Sequence, residues 1–155
     1  MEIHDILSPD RIVCDLDASS KKRALEKISD MLSNDSSLDI APQEVCESLI
    51  AREKLGSTGI GCGVAIPHGR LKSANKTLAA FVRLHKGIDY DAIDNKEVDL
   101  IFALLVPENS TEDHLQILAE LAEMFSNSEI LEKLRNTNDS QSLCQVLSNW
   151  KQFCK

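Results

Sequence analysis

Aromatic side chains are scarce in this 155-residue chain, at 4% of the total. Its core is therefore expected to be aliphatic, and stacked platforms for nucleobases are not expected. Positive charge is in deficit: 17 Lys and Arg stand against 25 Asp and Glu, a formal net charge of −8. That balance argues against non-specific binding to nucleic acid or anionic membrane. It leaves room for a small anion, because a local group of arginines and amides can outweigh the global charge. Long apolar runs are missing too. The longest, Leu100 to Val106, is far shorter than the ~20 residues that span a bilayer. Met1-Glu2-Ile3-His4-Asp5 lacks a basic, then apolar leader, so no signal peptide is expected. The cysteines (Cys14, Cys46, Cys62, Cys144, Cys154) are odd in number and contain no Cys-x-x-Cys. They suggest neither a disulfide framework nor a zinc ribbon. Together these absences predict a reduced, cytoplasmic protein that is not membrane-embedded and carries neither metal nor other cofactor. Its length suits a single domain over residues 1–155.

Glycine is also rare, and its distribution is the strongest local signal. Five of the six glycines fall between Gly56 and Gly69. Glycine is favoured where the backbone must reach positive φ or approach another group closely. The run closes on Ile66-Pro67-His68-Gly69, where Pro67 fixes its own φ and restricts Ile66 to extended conformations. His68 is thus held at a defined place with little bulk after it.

Hydrophobic periodicity supplies the frame. Ile3, Ile6 and Leu7 form a short leading turn that Pro9 ends. Ile12, Cys14 and Leu16 alternate as a strand. Ser19 or Ser20 caps a helix with Ala24, Leu25, Ile28, Met31 and Leu32 at the 3.6 period. Asn34 to Ser37 reads as loop. Pro42 suits the first position of a second helix, whose stripe is Val45, Cys46, Leu49 and Ile50. Arg52 lies in its last turn, Gly56 suits its cap, and Glu53 and Lys54 read as solvated surface.

Leu78 to Leu84 reads as a strand, Gly87 to Lys96 as loop, and Val98 to Val106 as a central strand covered on both faces. Ser110 is the expected cap of a helix whose inner face carries His114, Leu118, Leu121 and Phe125, with Leu115 and Ala122. Short helices follow, one started by Ser128 or Asn127 with Ile130, Leu131 and Leu134, then one with Leu143, Val146, Leu147 and Trp150 behind an Asp139 cap. The alternation predicts an α/β sandwich, a mixed central sheet flanked by helices on both faces.

A neutral imidazole carries a lone pair at physiological pH and is a potential nucleophile. Phosphoryl transfer needs position and charge neutralisation around such a group. The sequence offers His68, the cation Arg52, the amides of the glycine run with Ser57, Thr58 and Gly59 as a phosphate cradle, and His114. A bland alternative stays open: a structural glycine turn, a core histidine and a helix-end arginine. Rival fingerprints fail on spacing, with no Gly-x-Gly-x-x-Gly, no Walker loop and no Gly-x-Ser-x-Gly.

Arg52-Glu53-Lys54-Leu55-Gly56-Ser57-Thr58-Gly59-Ile60-Gly61 and Val64-Ala65-Ile66-Pro67-His68-Gly69-Arg70 resemble the active-site segment of the fructose/mannitol-type enzyme IIA proteins. These belong to the bacterial phosphoenolpyruvate-dependent phosphotransferase system. Ala18 to Glu26, Tyr90 to Asn95 and Phe102 to Pro107 look like the nitrogen-regulatory branch, so the resemblance covers nearly the whole chain. It implies a transferase component, a phosphocarrier. His68 would accept a phosphoryl group on Nε2 from a histidine-phosphorylated HPr- or NPr-type carrier, with Arg52 stabilising it and His114 supporting. The phosphorylation state would then set which nitrogen- or potassium-related partners, such as potassium transporters or sensor kinases, are bound. Cys62 departs from the asparagine frequent in relatives at that turn. Two alternatives accompany this reading: a sugar-specific enzyme IIA feeding a separate permease, and a non-catalytic module binding an anion or partner.

Overall fold

Val98–Pro107 is the most apolar stretch, and it becomes the strand on which the sheet is built. Its Leu100, Phe102, Leu104 and Val106 enter one core, while Ile101, Ala103 and Leu105 enter another on the opposite face. A continuous apolar run is what burial on both faces demands.

The computed structural model describes residues 2–34, 39–109 and 111–153. In chain order the elements are α1 (Ile3–Ile6), a 3-10 turn (Pro9–Arg11), β1 (Ile12–Leu16), α2 (Lys21–Ser33) and α3 (Pro42–Glu53). Next come β2 (Gly59–Gly61), β3 (Val64–Ala65), β4 (His68–Leu71), β5 (Leu78–Ile88) and β6 (Val98–Pro107). The chain continues through α4 (Thr111–Phe125), α5 (Ser128–Asn136), α6 (Ser140–Ser148) and α7 (Trp150–Phe153). The six-stranded sheet runs β1-β5-β6-β3-β2, with β4 also pairing β6. It is mixed: β5 lies antiparallel to β6 and β2 to β3, and the other pairings are parallel. One face is covered by α2 and α3, the other by α1 and α4 to α6 with Trp150 of α7. The expected α/β sandwich is therefore the observed fold.

At the end of α3 the cap is Lys54 rather than the expected Gly56, while the described N-terminal caps form as expected. Ser20 accepts from the Arg23 amide at 3.1 Å, Asn127 from those of Glu129 and Ile130, and Asp139 from that of Ser142. The cap expected at Ser110 and the loop residues Asp35, Ser36 and Ser37 lie outside the described residues.

Three readings need correction. β5 continues to Ile88, two residues into the expected loop, because Ile88 is buried and pairs with Val98 across a register shift. The glycine run, to which periodicity assigned no strand, forms three short ones, β2, β3 and β4. On α4 the buried stripe is His114, Ile117, Leu121, Met124 and Phe125, whereas Leu115 is 59% exposed and Ala122 is also exposed. A one-residue step turns a helix by ~100°, enough to carry Leu115 off the face that His114 occupies.

Candidate functional site

The site begins with a break in a strand. β3 and β4 lie end to end along β6, Val64 opposite Leu100 and His68 opposite Leu104. Between them, Pro67 has no N–H to give to a ladder. Its carbonyl still accepts from the Leu104 amide at 2.9 Å, which holds the register, while the Ile66 amide turns to Thr58 O at 3.0 Å. The Ile66 carbonyl meets His68 Nδ1 at 3.0 Å. A carbonyl only accepts, so Nδ1 carries the proton and Nε2 carries the lone pair.

Arg52 reaches His68 from the other side of the sheet edge. Helix α3 packs closely on β4 because residue 69 is glycine: a Cβ there would collide with the Ser48 hydroxyl and lie 3.0 Å from Ser48 Cβ. That contact brings the last turn of α3 to the start of β4. Arg52 Nε then donates to His68 Nε2 at 3.2 Å, and Arg52 Nη1 donates to Gly56 O at 2.9 Å.

The chain after α3 is locked by a group that sequence reasoning placed in solvent. Glu53 is only 9% exposed. Its carboxylate accepts from the Thr58 amide at 3.0 Å and from the Thr58 hydroxyl, and it pairs with Lys21 Nζ at 3.0 Å. Lys21 in turn lies 4.4 Å from the centre of the buried Tyr90 ring. Burial and the nearby Glu53 push the Tyr90 phenol up, so it stays neutral. Ser57 Oγ donates to Tyr90 O at 2.8 Å and accepts from the Gly59 amide at 3.1 Å. The hydrogen-bonding groups of Ser57, Thr58 and Gly59 named here are thus engaged inside the loop, and none of the three residues lines the cleft. They brace the wall behind the site.

His114, in the first turn of α4, completes the constellation. Its ring centre is 5.0 Å from that of His68, with the planes at 55°. The residue is 4% exposed, and its Nδ1 is buried without a hydrogen-bond partner. Nε2 is therefore the nitrogen that meets the cleft. Burial, followed by the charges of His68 and Arg70, lowers the His114 pKa to about 4. His68 is held below its ordinary 6.5 chiefly by burial, with the Ile66 carbonyl and Glu53 pulling upward and Arg52 and Arg70 downward. Both imidazoles are neutral at pH 7.

These groups share an open cleft of about 380 Å³, lined by Ser48, Ala51, Arg52, Leu55, His68, Gly69, Arg70 and His114. Its described lining contains two guanidiniums, two neutral imidazoles and no carboxylate. The structure thus brings His68, Arg52 and His114 together. Sequence reasoning missed Glu53 and Arg70 as parts of the arrangement. Arg70 stands two residues beyond His68 on a strand, hence on the same face; recognising β4 would have revealed it.

Residues 5–150 match the family described as phosphoenolpyruvate-dependent sugar phosphotransferase system, EIIA 2. A nitrogen regulatory protein of Pseudomonas aeruginosa is 39% identical over 147 residues, covering 95% of each chain. Another, from Escherichia coli K12, is 44% identical over 131 residues, 84% of this chain and 79% of the relative. The crystal structure of the nitrogen regulatory protein IIA-Ntr from Neisseria meningitidis superposes with a TM-score of 0.89 at 43% identity, over 94% of this chain and 98% of that one. The chain belongs to the EIIA 2 family of the phosphoenolpyruvate-dependent sugar phosphotransferase system, and its relatives there include nitrogen regulatory proteins.

Proposed function

We propose that this protein is a cytoplasmic phosphocarrier of the nitrogen-related phosphotransferase system and that His68 Nε2 is its phosphoryl acceptor. The observation that carries the reading is the orientation of one ring: Nδ1 is tied to Ile66 O at 3.0 Å, and Nε2 faces Arg52 in an open cleft. A nucleophile needs its lone pair aimed outward and its other nitrogen fixed, and this ring has both.

The step balances without a proton acceptor. The N–P bond of a histidine-phosphorylated HPr- or NPr-type donor breaks, and the electron pair stays on the donor nitrogen. The His68 Nε2 lone pair forms the new N–P bond. Nδ1 keeps its proton, and Ile66 O stabilises the positive charge that the ring acquires. Arg52 offsets the charge of the phosphoryl oxygens: two unit charges ~4 Å apart interact by ~4 kcal/mol at an effective dielectric of ~20. Neutral His114 turns Nε2 to the cleft and, in the tautomer that carries its proton there, gives a donor without adding a second imidazolium. Leu55, 84% exposed on the rim, offers apolar contact to a donor that must bring its own histidine to the cleft.

Phosphorylation adds about −1.5 to −2 charges at the cleft, so phosphorylated and free forms present different surfaces to nitrogen- or potassium-related regulatory partners. The test is an in-vitro relay with phosphoenolpyruvate, enzyme I and an HPr-type carrier, read by intact mass. Wild type should gain one acid-labile phosphate and His68→Ala none. An unlabelled wild type, beside a labelled control enzyme IIA, would refute the proposal in favour of a binding module.

A further inference from the structure

The resting hydrogen bond between Arg52 and His68 poses a difficulty for any phosphoryl acceptor built on this ring. Arg52 Nε–H points at Nε2 from 3.2 Å and so occupies the lone pair that must attack. The bond cannot persist once Nε2 is bonded to phosphorus. Arg52 must withdraw as the phosphoryl group arrives, when the charge spread over the three equatorial oxygens most needs a cation. A second tie, from Nη1 to Gly56 O at 2.9 Å, limits how far it can move.

Arg70 lacks these ties. It is exposed on the rim of the same cleft. Among the described residues it has no hydrogen-bond or ion-pair partner. It follows His68 by two positions on β4, so both side chains leave the same face of the strand. The described lining includes no carboxylate that would compete for it. A chain of net charge −8 leaves this guanidinium unpaired beside two neutral imidazoles.

We propose that Arg70 is a second phosphoryl-binding residue. It engages the equatorial oxygens of the incoming group while Arg52 leaves Nε2, and both arginines then hold the phosphohistidine. The proposal rests on the reading of His68 as acceptor. It adds a distinct requirement: an unpaired guanidinium on the strand side of the cleft. A fork of N–H donors binds phosphate bidentately, as a lysine ammonium does not. Substitution by Lys should therefore restore only part of the effect.

The test separates chemistry from protein docking by using phosphoramidate, a small phosphoryl donor that needs no protein–protein contact. Wild type, Arg70→Gln, Arg70→Lys and His68→Ala are incubated with it, and phosphate on residue 68 is followed by mass. Arg70 is exposed, so thermal melts should confirm that its variants fold like wild type. Arg70→Gln should be labelled roughly ten- to a hundredfold more slowly, with Arg70→Lys intermediate. The Arg70 Nε signal in ¹⁵N spectra should shift when wild type is phosphorylated. Equal labelling of wild type and Arg70→Gln at residue 68 would overturn this proposal alone. Wild type unlabelled at residue 68 would overturn both the acceptor assignment and the role of Arg70.

Discussion

Replacing Glu53 tests the architecture behind the cleft. Its carboxylate accepts two hydrogen bonds from Thr58 and pairs with Lys21 Nζ at 3.0 Å, with side-chain exposures of 5% for Glu53 and 21% for Lys21. A charge-assisted hydrogen bond contributes about 1.5–3 kcal/mol. Removing one member of a buried ion pair costs about 3–5 kcal/mol, because the other charge is left uncompensated. These terms overlap, so Glu53→Ala should destabilise by about 3–5 kcal/mol in total. Glu53→Gln keeps the volume and one acceptor and should lose about half as much. Urea unfolding with an unchanged m-value reads both. A cycle with Lys21→Met should show a coupling of at least about 1 kcal/mol. The same lock sets Gly56 O, to which Arg52 is tied, so Glu53→Gln should also slow phosphoryl acceptance while the protein remains folded. If Glu53→Ala changes stability by less than about 0.5 kcal/mol, as a surface substitution would, the reasoning about the lock is wrong.

Other consequences can be checked separately. Arg52→Ala should keep the fold and slow transfer by on the order of two to three decades, about 3–4 kcal/mol; an ordinary single-turnover rate would remove its role. Gly69→Ala should force α3 away from β4, giving a lower melting temperature and slower transfer together, whereas an unchanged melt would contradict the packing argument. Cys62 has φ 58° in the two-residue turn before Gly63 at φ 79°. Asparagine tolerates that region better, so Cys62→Asn should stabilise by about 0.5–1 kcal/mol in urea titrations. His114 titrates near 4 in the fold against an ordinary 6.5, so the unfolded chain binds its proton first as pH falls. Its contribution is full above pH 6.5 and is lost progressively toward pH 4, at most about 3 kcal/mol and less because the cleft admits water. Unfolding of wild type and His114→Asn across that window should converge at the acid end.

The fold was legible where periodicity was strong. Val98 to Val106 announced a strand covered on both faces, and the helix stripes of α2, α5 and α6 followed their sequence spacing. The short strands β2, β3 and β4 left little such signal, because glycine supplies no side-chain alternation and strands of two to four residues take their identity from partners distant in sequence. His68, Arg52 and His114 could be named from spacing and resemblance. The contacts of Ser57, Thr58 and Gly59 could not, because their partners include a carboxylate on α3 and a carbonyl at Tyr90, 33 residues from Ser57. Glu53 looked solvated for a related reason: its burial depends on Lys21 from another helix.

The orientation of the His68 ring is tested most directly by ¹⁵N imidazole spectra of the protein after phosphorylation by its HPr-type donor. Phosphorus coupling should appear on Nε2 of residue 68, with Nδ1 still protonated and bonded to the Ile66 carbonyl. Phosphate on Nδ1, or on another residue, would contradict the account at its centre.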